Sequence, residues 1–174
     1  MLPDIQEKFD RLKMKRVALL QHIGSLPNHV TSFKAGPDKW SIGEVVEHLV
    51  IVEKDLYKQL STNVPTSTFD PKSRTPEKHQ TVIKVMERDI PVDVPDKSVE
   101  PHGRLTLDEL LTQWDDIRKK LQEVLAEILS ENKDDLVYQH PFGGPLDISK
   151  TLHFIDVHFD NHIRHIERIL AQIK

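Results

Sequence analysis

The sequence contains no cysteine. This absence excludes disulfide bonds, thiolate metal sites and cysteine nucleophiles, so any bound metal ion must take its ligands from histidine, aspartate or glutamate. No stretch approaches the roughly 20 apolar residues of a membrane-spanning helix, and the first ten residues have no apolar run typical of secretory signals. There is no basic block or arginine-rich face, which argues against nucleic acid as a partner. We therefore expect a cytoplasmic protein with neither a membrane nor a nucleic-acid partner.

The length and composition are those of one globular domain. The chain has 174 residues, enough for one well-filled core and too few for two. Charged residues make up 30% and hydrophobic residues 37%, and charges of both signs are interleaved to give a formal net charge of −4. We expect a single domain over residues 1–174.

Four segments repeat their apolar residues with the period of an α-helix. No segment shows the sustained alternation of a half-buried strand. The pattern predicts an all-α protein, a four-helix bundle with a long connection between its second and third helices. The four apolar faces run over residues 5–23, 42–60, 107–128 and 148–173.

Three of the four helices carry a start signal. Ser41 with Glu44, and Thr106 with Glu109, have the spacing of a capping box, in which the hydroxyl and the carboxylate bond to each other's backbone N–H groups. Asp147 stands where an N-cap of the fourth helix is expected. These signals predict helix starts close to residues 42, 107 and 148.

The connection between the second and third helices, residues 63–105, holds six of the eleven prolines. Connections of this length are unusual in a compact bundle and are often functional. We expect a cap or crossover over one end of the bundle, with a short helix over residues 77–88. A poorly ordered linker is the alternative.

Four of the ten histidines fall between residues 153 and 165. His158 and His162 are four apart and so project from the same face of the fourth helix. His162 stands at a position of the apolar stripe, where burying an unpaired imidazole costs on the order of 1–3 kcal/mol. His48 flanks the stripe of the second helix, and if the two helices pack together it closes a three-nitrogen face for a divalent metal.

The spacing also has a plainer interpretation. His158 and His162 can be ordinary helix histidines satisfied by Asp156, Asp160 or backbone carbonyls. His165, three residues after His162, is either a helix residue or an acid–base group beside the site.

The sequence resembles the DinB-like superfamily, and within it the YfiT-like branch of metal-dependent hydrolases. The resemblance spans residues 5–172. It rests on the order and spacing of several short motifs, namely Lys39-Trp-Ser-Ile-Gly-Glu-Val-Val-Glu-His48, Val94-Pro95 with Glu100-Pro-His-Gly103, Thr106 through Arg118, His140-Pro-Phe-Gly143, and His158-x-x-x-His162-x-x-His165.

The resemblance implies a DinB/YfiT-type four-helix bundle with a metal site made by His48, His158 and His162. It further implies zinc or nickel as the ion, a small-molecule substrate, a low-molecular-weight thiol as co-substrate in some relatives, and a homodimer. At Asn161 relatives often carry arginine, so a substrate contact made from that position in relatives is not expected to transfer.

Two functions follow from these observations. The first is a metal-dependent hydrolase or thiol-dependent S-transferase. His165, Glu44 and Asp160 are its weak candidates for a base, and Arg118 for binding an anionic substrate. Each has a structural alternative, such as capping by Glu44 or a salt bridge from Arg118. The second is a non-catalytic bundle in which the ion only links the second and fourth helices; a metal-free helical scaffold is a weaker third.

Three aromatic positions lie just before predicted helices. Trp40 precedes a capping box and is expected to pack against the start of the second helix. Tyr138 and His140 lead into the fourth helix, as either a rim near the metal or a simple turn.

Overall fold

The computed structural model describes residues 1–62, 76–88, 97–131, 137–140 and 144–173. In these ranges the chain is mostly helical. The elements, in chain order, are α1 (Pro3–Ile23), α2 (Asn28–Thr31), α3 (Ile42–Ser61), α4 (Pro76–Glu87), a 3₁₀ turn (Lys97–Val99), α5 (Leu107–Ala126), β1 (Val137–His140), β2 (Gly144–Asp147) and α6 (Ile148–Leu170).

The predicted helix starts are confirmed. The Ser41 hydroxyl accepts the Glu44 N–H at 3.2 Å, and the Glu44 carboxylate accepts the Ser41 N–H at 2.8 Å. Thr106 and Glu109 form the same reciprocal pair at the start of α5. At the start of α6, Asp147 accepts the Lys150 N–H at 2.8 Å. Each cap satisfies backbone donors that the first helical turn leaves unpaired.

The four long helices form the predicted bundle. Helix α3 packs against α5, α1 packs against α6, and α3 and α6 also contact each other. The predicted short helix of the long connection is α4, which lies on α6 and β2. Residues 63–75 and 89–96, with prolines 65, 71, 91 and 95, lie outside the described residues.

The buried apolar residues form two clusters along the bundle. One joins the starts of α1 and α6 to the second half of α3, around Phe9, Leu56 and Leu152. The other joins the end of α1 to the first half of α3 and the second half of α6, and it includes the fully buried Trp114 of α5. On α6 the change from one cluster to the other falls between Val157 and Phe159.

A short antiparallel hairpin precedes α6 and was not predicted. Its register pairs Val137 with Asp147 and His140 with Gly144. Strands of four residues are too short for alternation to stand out, and here only Tyr138 and Leu146, which face each other, are fully buried. No helix within the described ranges has the length and apolar character needed to cross a membrane.

Candidate metal centre

His48, His158 and His162, the histidine trio, meet between α3 and α6. His158 lies at the point on α6 where the two apolar clusters join, and one turn separates it from His162. All three side chains are buried, with 4%, 7% and 9% of their surfaces exposed. The three histidines that the helical spacing suggested therefore all have their rings inside the bundle.

The ring nitrogens of the trio converge on one point. His158 Nε2 lies 3.1 Å from His48 Nε2 and 3.1 Å from His162 Nε2. One nitrogen from each of the three rings lies within 4.8 Å of the other two. Within the described part of the chain, this is the only group of three or more His, Cys, Asp or Glu residues with such close ligand atoms.

A backbone carbonyl fixes the tautomer of His48. His48 Nδ1 lies 2.7 Å from the carbonyl oxygen of Val99. Because a carbonyl oxygen only accepts, Nδ1 carries the proton and Nε2 presents its lone pair to the other two rings. A metal-binding histidine is commonly oriented in this way, by a hydrogen bond from its other ring nitrogen.

Burial keeps the trio neutral. It lowers the pKa of His48 to about 4, against the smaller opposing effect of the Val99 hydrogen bond. Burial also holds the pKa values of His158 and His162 well below the usual range, and the neighbouring histidines lower them further. At neutral pH the three rings are therefore uncharged, which is the form that binds a metal ion.

The trio fits a divalent ion. Ligand nitrogens 2.0–2.1 Å from a tetrahedral zinc lie about 3.3–3.4 Å apart, close to the 3.1 Å separations seen from His158. Neutral rings can hydrogen-bond through these Nε2 atoms only in part. A hydrogen bond between two nitrogens needs a proton on one of them, and the three nitrogens have few protons between them. The three-histidine cluster could therefore hold one divalent metal ion, with no fourth ligand among the described His, Cys, Asp and Glu side chains.

Aromatic rings surround the trio. The Trp40 ring centroid lies 5.1 Å from that of His48, and the indole stacks near His162 at 6.3 Å. On the other side the Phe154 ring lies 5.4 Å from His158 and 4.3 Å from His140. Trp40 therefore forms part of the wall of the site as well as packing beside the start of α3.

Of the weak catalytic candidates, His165 lies next to the trio. Its ring centroid is 6.2 Å from that of His162 and 6.2 Å from that of Trp40, with which it stacks. Asp160 points elsewhere, because its carboxylate pairs with Lys15 of α1 at 2.7 Å.

The other two candidates are engaged in structural contacts. The Glu44 carboxylate accepts both the Ser41 N–H and, at 2.6 Å, the Lys34 ammonium. Arg118 forms a buried ion pair with Glu53. These contacts agree with the structural alternatives considered for both residues.

Asn161 lies on the α4 side of α6. Its side-chain amide donates to the Met86 carbonyl at 3.0 Å, and Arg164 donates to the same oxygen at 2.7 Å. Asn161 and Arg164 therefore tie α6 to α4.

The family follows from comparison with known proteins. The family model of the DinB superfamily matches residues 11–166. The chain belongs to the DinB superfamily. Among solved structures, this DinB protein is similar to the crystal structure of TT2238, a four-helix bundle protein, with 19% identity, a TM-score of 0.55, and coverage of 97% of this chain and 99% of that one. This likeness shows the shared fold, and a comparison with curated proteins gives no match.

Two parts of this DinB site could not be read from the sequence. Val99 acts through its main-chain carbonyl, so its residue type carries no signal. Trp40 gave a signal only for local packing at the helix start. Both contacts depend on the tertiary packing around α3 and α6.

Proposed function

We propose that the histidine trio binds one divalent metal ion, zinc or nickel, and that the protein is a metal-dependent hydrolase or thiol-dependent S-transferase acting on a small molecule. The observation that carries the proposal is the convergence of three Nε2 atoms, with the proton of His48 held on the opposite side of its ring by Val99. Three protein ligands leave coordination positions free, as catalytic sites require.

In the proposed reaction the ion and the residues around the trio have separate roles. A bound ion would supply Lewis-acid chemistry that lowers the pKa of a water or thiol. The rings of Trp40 and Phe154 lie against the trio and would limit the access of bulk water to a bound ion, which strengthens electrostatic interactions within the site. In this proposal His165, which is half-buried beside His162, takes up or releases a proton. Because the chain has no cysteine, any thiol comes from a second, low-molecular-weight substrate.

Burial supports a second candidate function. The three rings expose less than a tenth of their surfaces, and they come from only two helices. An ion held there would link α3 to α6 even without a reaction. In this alternative the protein is a non-catalytic metal-binding bundle.

The metal site is tested by elemental analysis of protein purified without a histidine tag. We expect about one zinc or nickel ion per chain, and loss of stoichiometric metal in His48→Ala, His158→Ala and His162→Ala. His153→Ala is the matched control, because this exposed histidine lies on the same helix and should leave binding intact. Full metal content in His48→Ala would contradict the three-histidine site.

Cobalt substitution separates the two functions. If coordination positions are open, low-molecular-weight thiols should add a sulfur-to-cobalt charge-transfer band to the spectrum of the Co²⁺ protein. A spectrum unchanged by every thiol and small anion would favour the structural role. An activity screen with thiols, esters and amides then distinguishes transferase from hydrolase.

The cellular location and assembly of the protein are also proposals. We infer a cytoplasmic homodimer, and sedimentation equilibrium of the metal-loaded protein tests the assembly.

A further inference from the structure

Residues 97–103, the clasp segment, are attached to α3 at two adjacent positions. His48 Nδ1 donates to the Val99 carbonyl at 2.7 Å. The carboxylate of Glu47 accepts the backbone N–H groups of His102 at 3.1 Å and Gly103 at 2.7 Å. One of these two neighbouring attachments therefore involves a metal-ligand candidate, and the other involves the residue before it.

Glu47 is buried, with 5% of its surface exposed. Removing a carboxylate from water is costly unless hydrogen bonds replace the lost hydration, and backbone N–H groups are suitable donors. Pro101, between the two attachments, is buried as well. The clasp segment is thus hydrogen-bonded to α3 through the backbone of Val99, His102 and Gly103.

Gly103 shows how closely the segment approaches α3. Its φ of +65° is unfavourable for residues with a side chain. A Cβ atom at this position would also lie 3.0 Å from Glu44 Oε1. The position therefore favours glycine for its backbone conformation, and a side chain there would press on the Glu44 carboxylate.

We propose that Glu47 is a positioning residue of the metal centre, and that ion binding and seating of the clasp segment are coupled through His48. Glu47 holds the backbone of His102 and Gly103, and this places the Val99 carbonyl against His48 Nδ1. The inference rests on the metal site of the proposed function.

Both directions of the coupling have a physical reason. A hydrogen bond from Nδ1 to Val99 raises the basicity of Nε2 and fixes the ring, which strengthens metal binding. A cation at Nε2 withdraws electrons from the ring, so Nδ1–H becomes a stronger donor to Val99. By linkage, the factor by which a seated segment raises metal affinity equals the factor by which the ion favours seating.

The coupling is tested by measuring two quantities on the same variants. Co²⁺ affinity is measured by competition with a chromophoric chelator, and amide hydrogen exchange of His102 and Gly103 is measured with and without zinc. In the wild-type protein zinc should slow exchange at both amides. Glu47→Ala should bind Co²⁺ about 10- to 100-fold more weakly and should lose the zinc-dependent protection. Glu47→Gln, which keeps an acceptor oxygen, should retain part of both.

Glu100→Gln is the matched control, since this exposed residue lies within the clasp segment and should behave as wild type. Co²⁺ affinity of Glu47→Ala within twofold of wild type would overturn the inference, as would wild-type exchange that zinc does not change. If Glu47→Ala does not fold, Gly103→Ala is assessed by the same two criteria, because it disturbs the seating and keeps Glu47. Failure of the wild-type protein itself to bind metal would overturn the proposed function, a result distinct from a loss confined to the variants.

Discussion

Helix α3 contributes to two buried polar clusters, one around His48 and one around Glu53. In the second, the Glu53 cluster, the carboxylate accepts hydrogen bonds from Trp114 Nε1, at 2.8 Å, and from the Nε and Nη2 atoms of Arg118. The guanidinium also lies over the rings of Phe9 and Trp114. The anion and its donors are both supplied by the chain.

The histidine trio has the opposite character. Its members are three neutral groups of one kind, and each turns a nitrogen toward the other two. The lone pairs of neutral rings that face one another provide little stabilisation, whereas a cation between them would interact favourably with all three. We infer from this contrast that a polar cluster whose charges balance within the chain stabilises the fold, whereas one that an external cation would stabilise points to a function.

The largest predicted effect concerns the Glu53 cluster. Glu53→Ala leaves the buried Arg118 guanidinium without its counter-charge, and we expect it to lower the free energy of unfolding by about 3–5 kcal/mol. Urea denaturation of the metal-free protein measures this change. A loss below about 1 kcal/mol would show that the pair behaves like an exposed salt bridge, and the contrast between the clusters would fail.

Zinc should stabilise the protein through the other cluster alone. At a free concentration of about 100 times its Kd, an ion that binds only the folded state adds about 2.7 kcal/mol. We expect this gain in the wild-type protein and no gain in His158→Ala, from urea denaturation with and without zinc. Glu53→Ala should show the full gain, and a smaller one would mean that the clusters are energetically coupled.

Acid should destabilise the metal-free protein through its neutral histidines. The pKa of His48 is about 4 in the folded state and 6.5 as a free side chain, so the unfolded chain binds more protons between these values. His48 therefore costs no stability above about pH 6.5. As the pH falls below this value the free energy of unfolding decreases, with a loss of about 2 kcal/mol from His48 at about pH 5. Urea denaturation at pH 8 and pH 5 should show a smaller loss in His48→Ala, and equal losses would contradict this origin.

The smallest effect is expected at a surface carboxylate that sequence reasoning considered for catalysis. Asp160 pairs with Lys15, and its side chain is 43% exposed. Asp160→Asn should change the free energy of unfolding by less than about 1 kcal/mol and leave Co²⁺ affinity unchanged. A marked fall in affinity would place this carboxylate near the ion.

The fold was largely predictable because its signals are local. The capping boxes of α3 and α5 and the N-cap of α6 depend on residues three apart, and the helical stripes extend over a few turns. The hairpin of β1 and β2 was missed, since its pairing depends on packing against α3 and α6 rather than on a pattern within four residues.

The site was predictable only in outline. His158 and His162 share a helix face by spacing alone, while His48 needed the assumption that the second and fourth helices are neighbours. The assignment of His48 Nδ1 as the donor could not be predicted, because its acceptor is a main-chain carbonyl at Val99. Nor could spacing distinguish Glu47, which anchors the clasp segment, from a solvent-exposed glutamate.

The helices, their starts and the residue types available to a metal could be predicted from the sequence, because helical period, capping and the absence of cysteine are properties of short segments or of composition. Which polar groups meet depends instead on how the helices pack. His48 and Val99 are 51 residues apart in the sequence, Glu53 and Arg118 are 65 apart, and His48 and His158 are 110 apart. Contacts over such separations arise only when the helices pack, and packing therefore distinguishes the Glu53 cluster, whose charges pair within the chain, from the histidine trio, which could hold a divalent ion.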